Sequence, residues 1–231
     1  MEKQFWSNPR PFEVAPERIT RYHGDGVSGG ADPYADVAGS GSYPSGHTNQ
    51  GYWKAILLAD MLPEFAPQLL ARASEIGHSR VVLGVHYPLD VMGGRIMGQA
   101  AAADRLADPA FARLVDEAAV EVRAVLEAEA GAPLADVAAS DVPYTLTDGD
   151  LYRDHMTYGF EQVDPSLVND IPAEAAVLLR TAAPDLGVEE RLQVLRDTAI
   201  EAGYPLDEAG PDGGWLRIDL VAAHEALAAR G

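Results

Sequence analysis

Ser79-Arg80-Val81-Val82-Leu83-Gly84-Val85-His86-Tyr87-Pro88-Leu89-Asp90 is the stretch on which the fold turns. Pro88 has no N–H to lose and a φ suited to a first helical turn, so a helix is predicted from Pro88 to about residue 106. Upstream, residues 69–80 read as a second helix, ended by the glycine-containing stretch that follows. Further upstream, residues 47–62 carry Trp53, Ile56, Leu57 and Met61 on one side, a third helix whose stripe is expected in the core. Pro63 and Pro67 mark the break between these two. Downstream, Pro109 opens a fourth helix, with Phe111, Leu114, Val115, Ala118, Val122, Val125 and Leu126 at helical spacing. The core is therefore expected to be all-α.

The flanks differ in character. Residues 1–21 are mixed and proline-rich. Residues 22–46 are broken by seven glycines and read as a long loop, in which residues 24–30 are expected to form a site rim. They lack the Gly-Lys-Ser/Thr ending of a P-loop. Residues 141–154 and 158–172 show no clear period. Short helices are expected over 173–183, 188–202 and 218–229. The division is thus a helical core over 1–130 and an α-rich C-terminal extension over 131–231 of unassigned role. The aromatic stretch 152–160 is expected to dock that extension onto the core.

The 231 residues carry 17 Lys plus Arg against 36 Asp plus Glu, a formal charge of −19. Nucleic acid and anionic membrane call for positive surface, so neither is expected as a partner. No run of apolar residues is long enough to span a bilayer, and no signal peptide is read at the N-terminus. The absence of cysteine excludes disulfides, thiol catalysis and cysteine metal sites. His23, His78, His155 and His224 make no metal spacing and read as surface residues. No metal site is expected.

Against this acidic background, a few residues could hold an anion. Ser45 and Gly46 precede a helix, whose first N–H groups and dipole favour negative charge. Gly46 allows close approach of a ligand. Lys3, Arg10 and Arg80 add cations, and guanidinium forks match phosphate oxygens. Two imidazoles, His47 and His86, are present. Asp90 follows His86 by four residues, so on a helix its carboxylate can accept Nδ1–H and leave Nε2 as a nucleophile. Taken singly, each has an ordinary reading as surface charge, helix cap or turn. Their joint occurrence in one ordered pattern favours an anion-transfer site.

That pattern resembles the signature of the type 2 phosphatidic acid phosphatase superfamily, which includes vanadium haloperoxidases. It is Lys-x6-Arg-Pro, then Pro-Ser-Gly-His, then Ser-Arg-x5-His-x3-Asp. Here these are Lys3, Arg10 and Pro11; Pro44, Ser45, Gly46 and His47; Ser79, Arg80, His86 and Asp90. There are 32 residues between Pro11 and Pro44 and 31 between His47 and Ser79. The text around them looks most like the bacterial class A non-specific acid phosphatases. The resemblance covers about residues 3–130.

It implies a helical-bundle core and hydrolysis of small phosphomonoesters through a phosphohistidine, with no metal or other cofactor. His86 would attack phosphorus and Asp90 would orient it. His47 would protonate the leaving oxygen and then activate water. Lys3, Arg10, Ser45, Gly46 and Arg80 would bind the phosphate. Two imidazoles in opposite protonation states imply a bell-shaped pH–rate profile. The alternatives are a vanadium-dependent haloperoxidase, with vanadate in the same cage, and a catalytically incomplete fragment. A lipid phosphatase is less expected without membrane spans. Family members place helices before the lysine, so the resemblance implies that N-terminal helices are missing here. Apolar surface left uncovered would favour a homo-oligomer. By analogy the reaction would occur in the periplasm or outside the cell.

Overall fold

The computed structural model describes residues 2–22, 32, 34–140, 149–210 and 213–230. The expected rim over 24–30 lies outside them. Among the described residues the secondary structure is helical, with no strand. Two short helices, α1 (Glu2–Trp6) and α2 (Pro11–Val14), precede the long ones. The core helices are α3 (Gly46–Met61), α4 (Ala66–Val82), α5 (Pro88–Ala107) and α6 (Pro109–Ala130). Then come α7 (Leu134–Ser140), α8 (Gly149–Thr157), α9 (Val188–Thr198) and α10 (Leu220–Ala228), with 3-10 turns at Ala173–Leu179 and Trp215–Arg217. No described helix is long and apolar enough to cross a membrane.

The helix boundaries have local causes. Ser45 caps α3, its Oγ accepting the Thr48 N–H at 3.3 Å. Pro63 ends that helix in a 3-10 turn, and Pro67 sits in the first turn of α4 rather than breaking it. Gly84, at φ +66°, reverses the chain after α4; a Cβ there would lie 2.3 Å from Ile19. Pro88 opens α5 as the sequence predicts.

Helices α3, α4 and α5 pack on one another. The approach of α5 to α3 depends on Gly94, where a Cβ would stand 2.6 Å from the Ser45 carbonyl and 2.8 Å from Thr48 Cβ. This closeness puts the first turns of the two helices side by side, with the Ser45 N–H donating to the Asp90 carbonyl at 2.8 Å.

The C-terminal residues share the same core. Tyr52, Ile56, Leu70 and Leu106 form one buried cluster with Tyr152, Met156, Leu179, Leu195, Ile218 and Val221. Arg95, on α5, is buried and donates to the carbonyls of Leu216 (2.8 Å), Met156 and Ile218 (both 3.4 Å). Arg180 reaches back from the extension to Asp60 (2.6 Å) and Asp116 (2.7 Å). Docking through residues 152–160 is seen in the burial of Tyr152 and Met156.

Three expectations need correction, and one predicted helix exposes most of its apolar stripe. Part of the region without a clear period is helical: α8 begins at Gly149, because Tyr152 and Met156 bury one face of it. Residues 173–183 form a 3-10 turn only over Ala173–Leu179. The α6 stripe is not a core face: Val115 is buried, but Leu114 is 62% and Val125 55% exposed. The surface reading of three histidines fails as well. His224 is buried, and His78 and His155, both partly buried, stack at 4.3 Å between ring centroids.

Candidate active site

A second, smaller cluster of Phe12, Tyr34 and Val85 sits beneath the turn between α4 and α5. Tyr34 donates from its hydroxyl to the Leu83 carbonyl at 3.0 Å, which anchors that turn. The turn presents His86, itself 3% exposed.

His86 is held from two sides. Its Nδ1 lies 3.2 Å from Asp90 Oδ2, and its Nε2 lies 3.2 Å from Arg10 Nη1. A guanidinium can only donate and a carboxylate can only accept. The ring must therefore carry its proton on Nδ1 and turn the Nε2 lone pair toward Arg10. Burial holds the His86 pKa below its usual value; the Asp90 hydrogen bond opposes this, and the Arg10 charge adds to it. The ring is thus neutral over a wider acid range than free imidazole. Asp90 is the third residue of α5, where its Oδ2 also accepts the Tyr87 N–H at 2.8 Å.

Arg10 sits in a nest of carbonyls. It donates to Val85 (2.8 Å), Val37 (3.0 Å), Ser40 (3.2 Å) and Gly41 (3.3 Å), and to Ser40 Oγ at 3.0 Å. Lys3 donates to the carbonyls of Gly41 (2.8 Å) and Ser42 (3.2 Å). Burial lowers the pKa of both, and the Arg10 charge lowers that of Lys3 further. The Arg80 side chain is supported by Ser79 Oγ at 3.3 Å. His47 lies within electrostatic reach of all three cations: its pKa is lowered first by burial, then by Arg80, Arg10 and Lys3. Burial and these cations therefore disfavour the charged form of His47.

Ser45 is buried, and its Oγ accepts from both Thr48 Oγ1 (2.8 Å) and Thr48 N. With both lone pairs engaged, its O–H is available to donate. A Cβ built on Gly46 would meet nothing within 4 Å, so space adjoins the start of α3. The first N–H groups of a helix have no partner within it. The fold therefore gathers Lys3, Arg10, Ser45, Gly46, His47, Arg80, His86 and Asp90 around the start of α3 and the turn before α5.

Sequence reasoning missed Ser40, Ser42 and Thr48, and the carbonyls that hold Arg10 and Lys3. Ser40 and Ser42 fall in a stretch with no period, where no pattern singles them out. Thr48 was discoverable as the residue three after a serine helix cap.

Cations, a helix start and an oriented imidazole together could hold a small anion and present a nucleophile to it. Residues 1–107 match the family model described as the PAP2 superfamily. The chain is 40% identical over 109 residues to the non-specific acid phosphatase of Salmonella typhimurium, covering 47% of this chain and 40% of that protein. It is 34% identical over 121 residues to the acid phosphatase of Zymomonas mobilis subsp. mobilis, covering 52% and 42%. With the non-specific acid phosphatase of Providencia stuartii it shares 39% identity over 79 residues, covering 34% and 32%. The matched part thus spans between 32 and 42% of the length of these curated relatives.

Proposed function

We propose that this protein hydrolyses phosphomonoesters by an acid phosphatase mechanism with His86 as the nucleophile. The observation that carries the proposal is the sequence of contacts Arg10–His86–Asp90, which sets the tautomer and aims Nε2 at the cationic side of the site. In this reading Lys3, Arg10 and Arg80 take the phosphate oxygens, with the Ser45 hydroxyl and the Gly46 amide. Phosphoryl transfer gains most from such positioning and charge neutralisation.

His86 Nε2 attacks phosphorus as the bond to the leaving oxygen breaks, and His47 gives that oxygen its proton. Asp90 stabilises the positive charge that forms on the imidazole ring. Water then attacks the phosphohistidine, His47 takes a proton from the water, and the P–N bond breaks to restore His86. Side-chain cations supply the positive charge here, so the scheme has no step that needs a metal or other cofactor. The names of the relatives favour phosphomonoester hydrolysis over halide oxidation. Family analogy puts the reaction in the periplasm or outside the cell.

The test is p-nitrophenyl phosphate hydrolysis in EDTA by the chain and by His86→Ala. Turnover that survives chelation and vanishes in the variant is expected. Turnover that needs a divalent cation, or that survives in the variant, contradicts the proposal.

A further inference from the structure

We propose that Ser42 is a positioning residue for the His86–Asp90 pair. Its three polar groups touch three different parts of the site. The N–H donates to the Asn8 carbonyl at 2.8 Å. The carbonyl accepts from Lys3 Nζ at 3.2 Å. The hydroxyl donates to Asp90 Oδ1 at 3.3 Å, and Ser42 and Asp90 are both buried, at 0% and 1% exposed. Asp90 uses its other oxygen for His86 and Tyr87. The carboxylate therefore satisfies three donors in one rotation about Cβ–Cγ.

Ser42 fixes that rotation through the oxygen that does not face the imidazole. Because the imidazole follows the carboxylate, Ser42 also fixes where Nε2 points. Its backbone joins the Lys3 side of the site to the same unit. Without the hydroxyl, Oδ1 loses a donor where water does not reach, and the pair can settle into another rotation. A small error in aim is costly, since transfer requires a near-attack geometry. The substrate phosphate does not touch Ser42 in this scheme, so binding is expected to survive.

This inference rests on the proposed phosphatase reading for its kinetic test, and a second readout is independent of it. Ser42→Ala is made in the wild-type and Asp90→Asn backgrounds. In the first, kcat is expected to fall about tenfold with KM changed less than about twofold. In the second, no further loss is expected, because Ser42 acts through Asp90. In the phosphate-free protein, the His86 Nδ1–H proton signal in histidine-labelled NMR spectra should shift or be lost to exchange in Ser42→Ala. Equal losses in the two backgrounds, or an unchanged kcat with an unchanged signal, overturn the inference. If the wild type hydrolyses no phosphomonoester, the phosphatase reading fails and the NMR signal alone decides the role of Ser42. Should the alanine variant not unfold cooperatively, Ser42→Cys, a slightly larger side chain with a weaker donor, takes its place, and the same cycle and spectra are read with it.

Discussion

The Ser45 N–H donates to the Asp90 carbonyl at 2.8 Å, so one hydrogen bond joins the first turn of α3 to the first turn of α5. The donors for an anion stand on the first helix and the oriented imidazole on the approach to the second. Their separation depends on Gly94, which a side chain would force away from Ser45. Gly94→Ala is expected to lower stability by about 1–3 kcal/mol, the usual cost of overpacking. It should also reduce kcat at least about tenfold, because a displacement of this kind spoils the aim of the proposed nucleophile, His86. Urea unfolding and steady-state kinetics on the variant check both effects; unchanged kinetics would show that the two helix starts need not be this close.

Phosphate binding is expected to raise the proton affinity of His47, so that a proton is taken up on the acid side of neutrality. The charged form of His47 is disfavoured by burial and by Arg80, Arg10 and Lys3. A bound anion offsets those charges and raises the proton affinity of the ring. Isothermal titration with inorganic phosphate in buffers of different ionisation enthalpy measures the uptake, and His47→Gln should abolish it. The same coupling shapes the rate profile. In the proposed scheme His86 must be neutral, which its lowered pKa favours, and His47 must be protonated in the complex. A bell on the acid side of neutrality follows.

Acid should weaken the fold itself. Burial pulls the pKa of both His155 and His224 from 6.5 to about 4. Between those values the unfolded chain binds more protons than the folded one. The stability that these neutral rings provide is therefore complete above about pH 6.5 and is lost as pH falls toward 4. For the buried His224 the full swing is on the order of 3 kcal/mol. Urea midpoints measured between pH 7 and pH 4 should fall steeply, and His224→Gln should flatten the slope. A slope unchanged in that variant would remove His224 as a source.

Arg95 should matter to the whole fold. Its buried guanidinium is met by the Leu216, Met156 and Ile218 carbonyls. Arg95→Ala takes this donor from the Leu216 and Met156 carbonyls, leaves the Ile218 carbonyl to Gln99 Nε2 (3.2 Å), and opens a cavity between α5 and the C-terminal residues. A loss of about 3–5 kcal/mol is expected. Cooperative thermal unfolding of the variant, followed by circular dichroism, reads it directly.

Much of the site is legible in the sequence because its chemistry needs rare residue types in order. Two histidines, an aspartate one helical turn after the second, and three cations stand out in an acidic chain. The long helices are legible from Pro88, Pro109 and the stripe around Trp53. The supports of the site are not. Arg10 is held mainly by backbone carbonyls, which carry no side-chain signature, and Ser42 looks like any loop serine. The α6 stripe shows the opposite failure: a helical period marks an apolar face, but says nothing about whether a partner covers it. α8 shows a third, since its short buried face, Tyr152 and Met156, is a single pair with no repeat to detect.

The most direct measurement of the central claim is rapid quenching of turnover into alkali, followed by mass spectrometry of the peptide containing His86. Alkali preserves phosphohistidine, which acid would destroy. The account predicts a phosphate adduct on His86 within the first turnover, absent from His86→Ala. Turnover with no adduct, or an adduct on another residue, would contradict it.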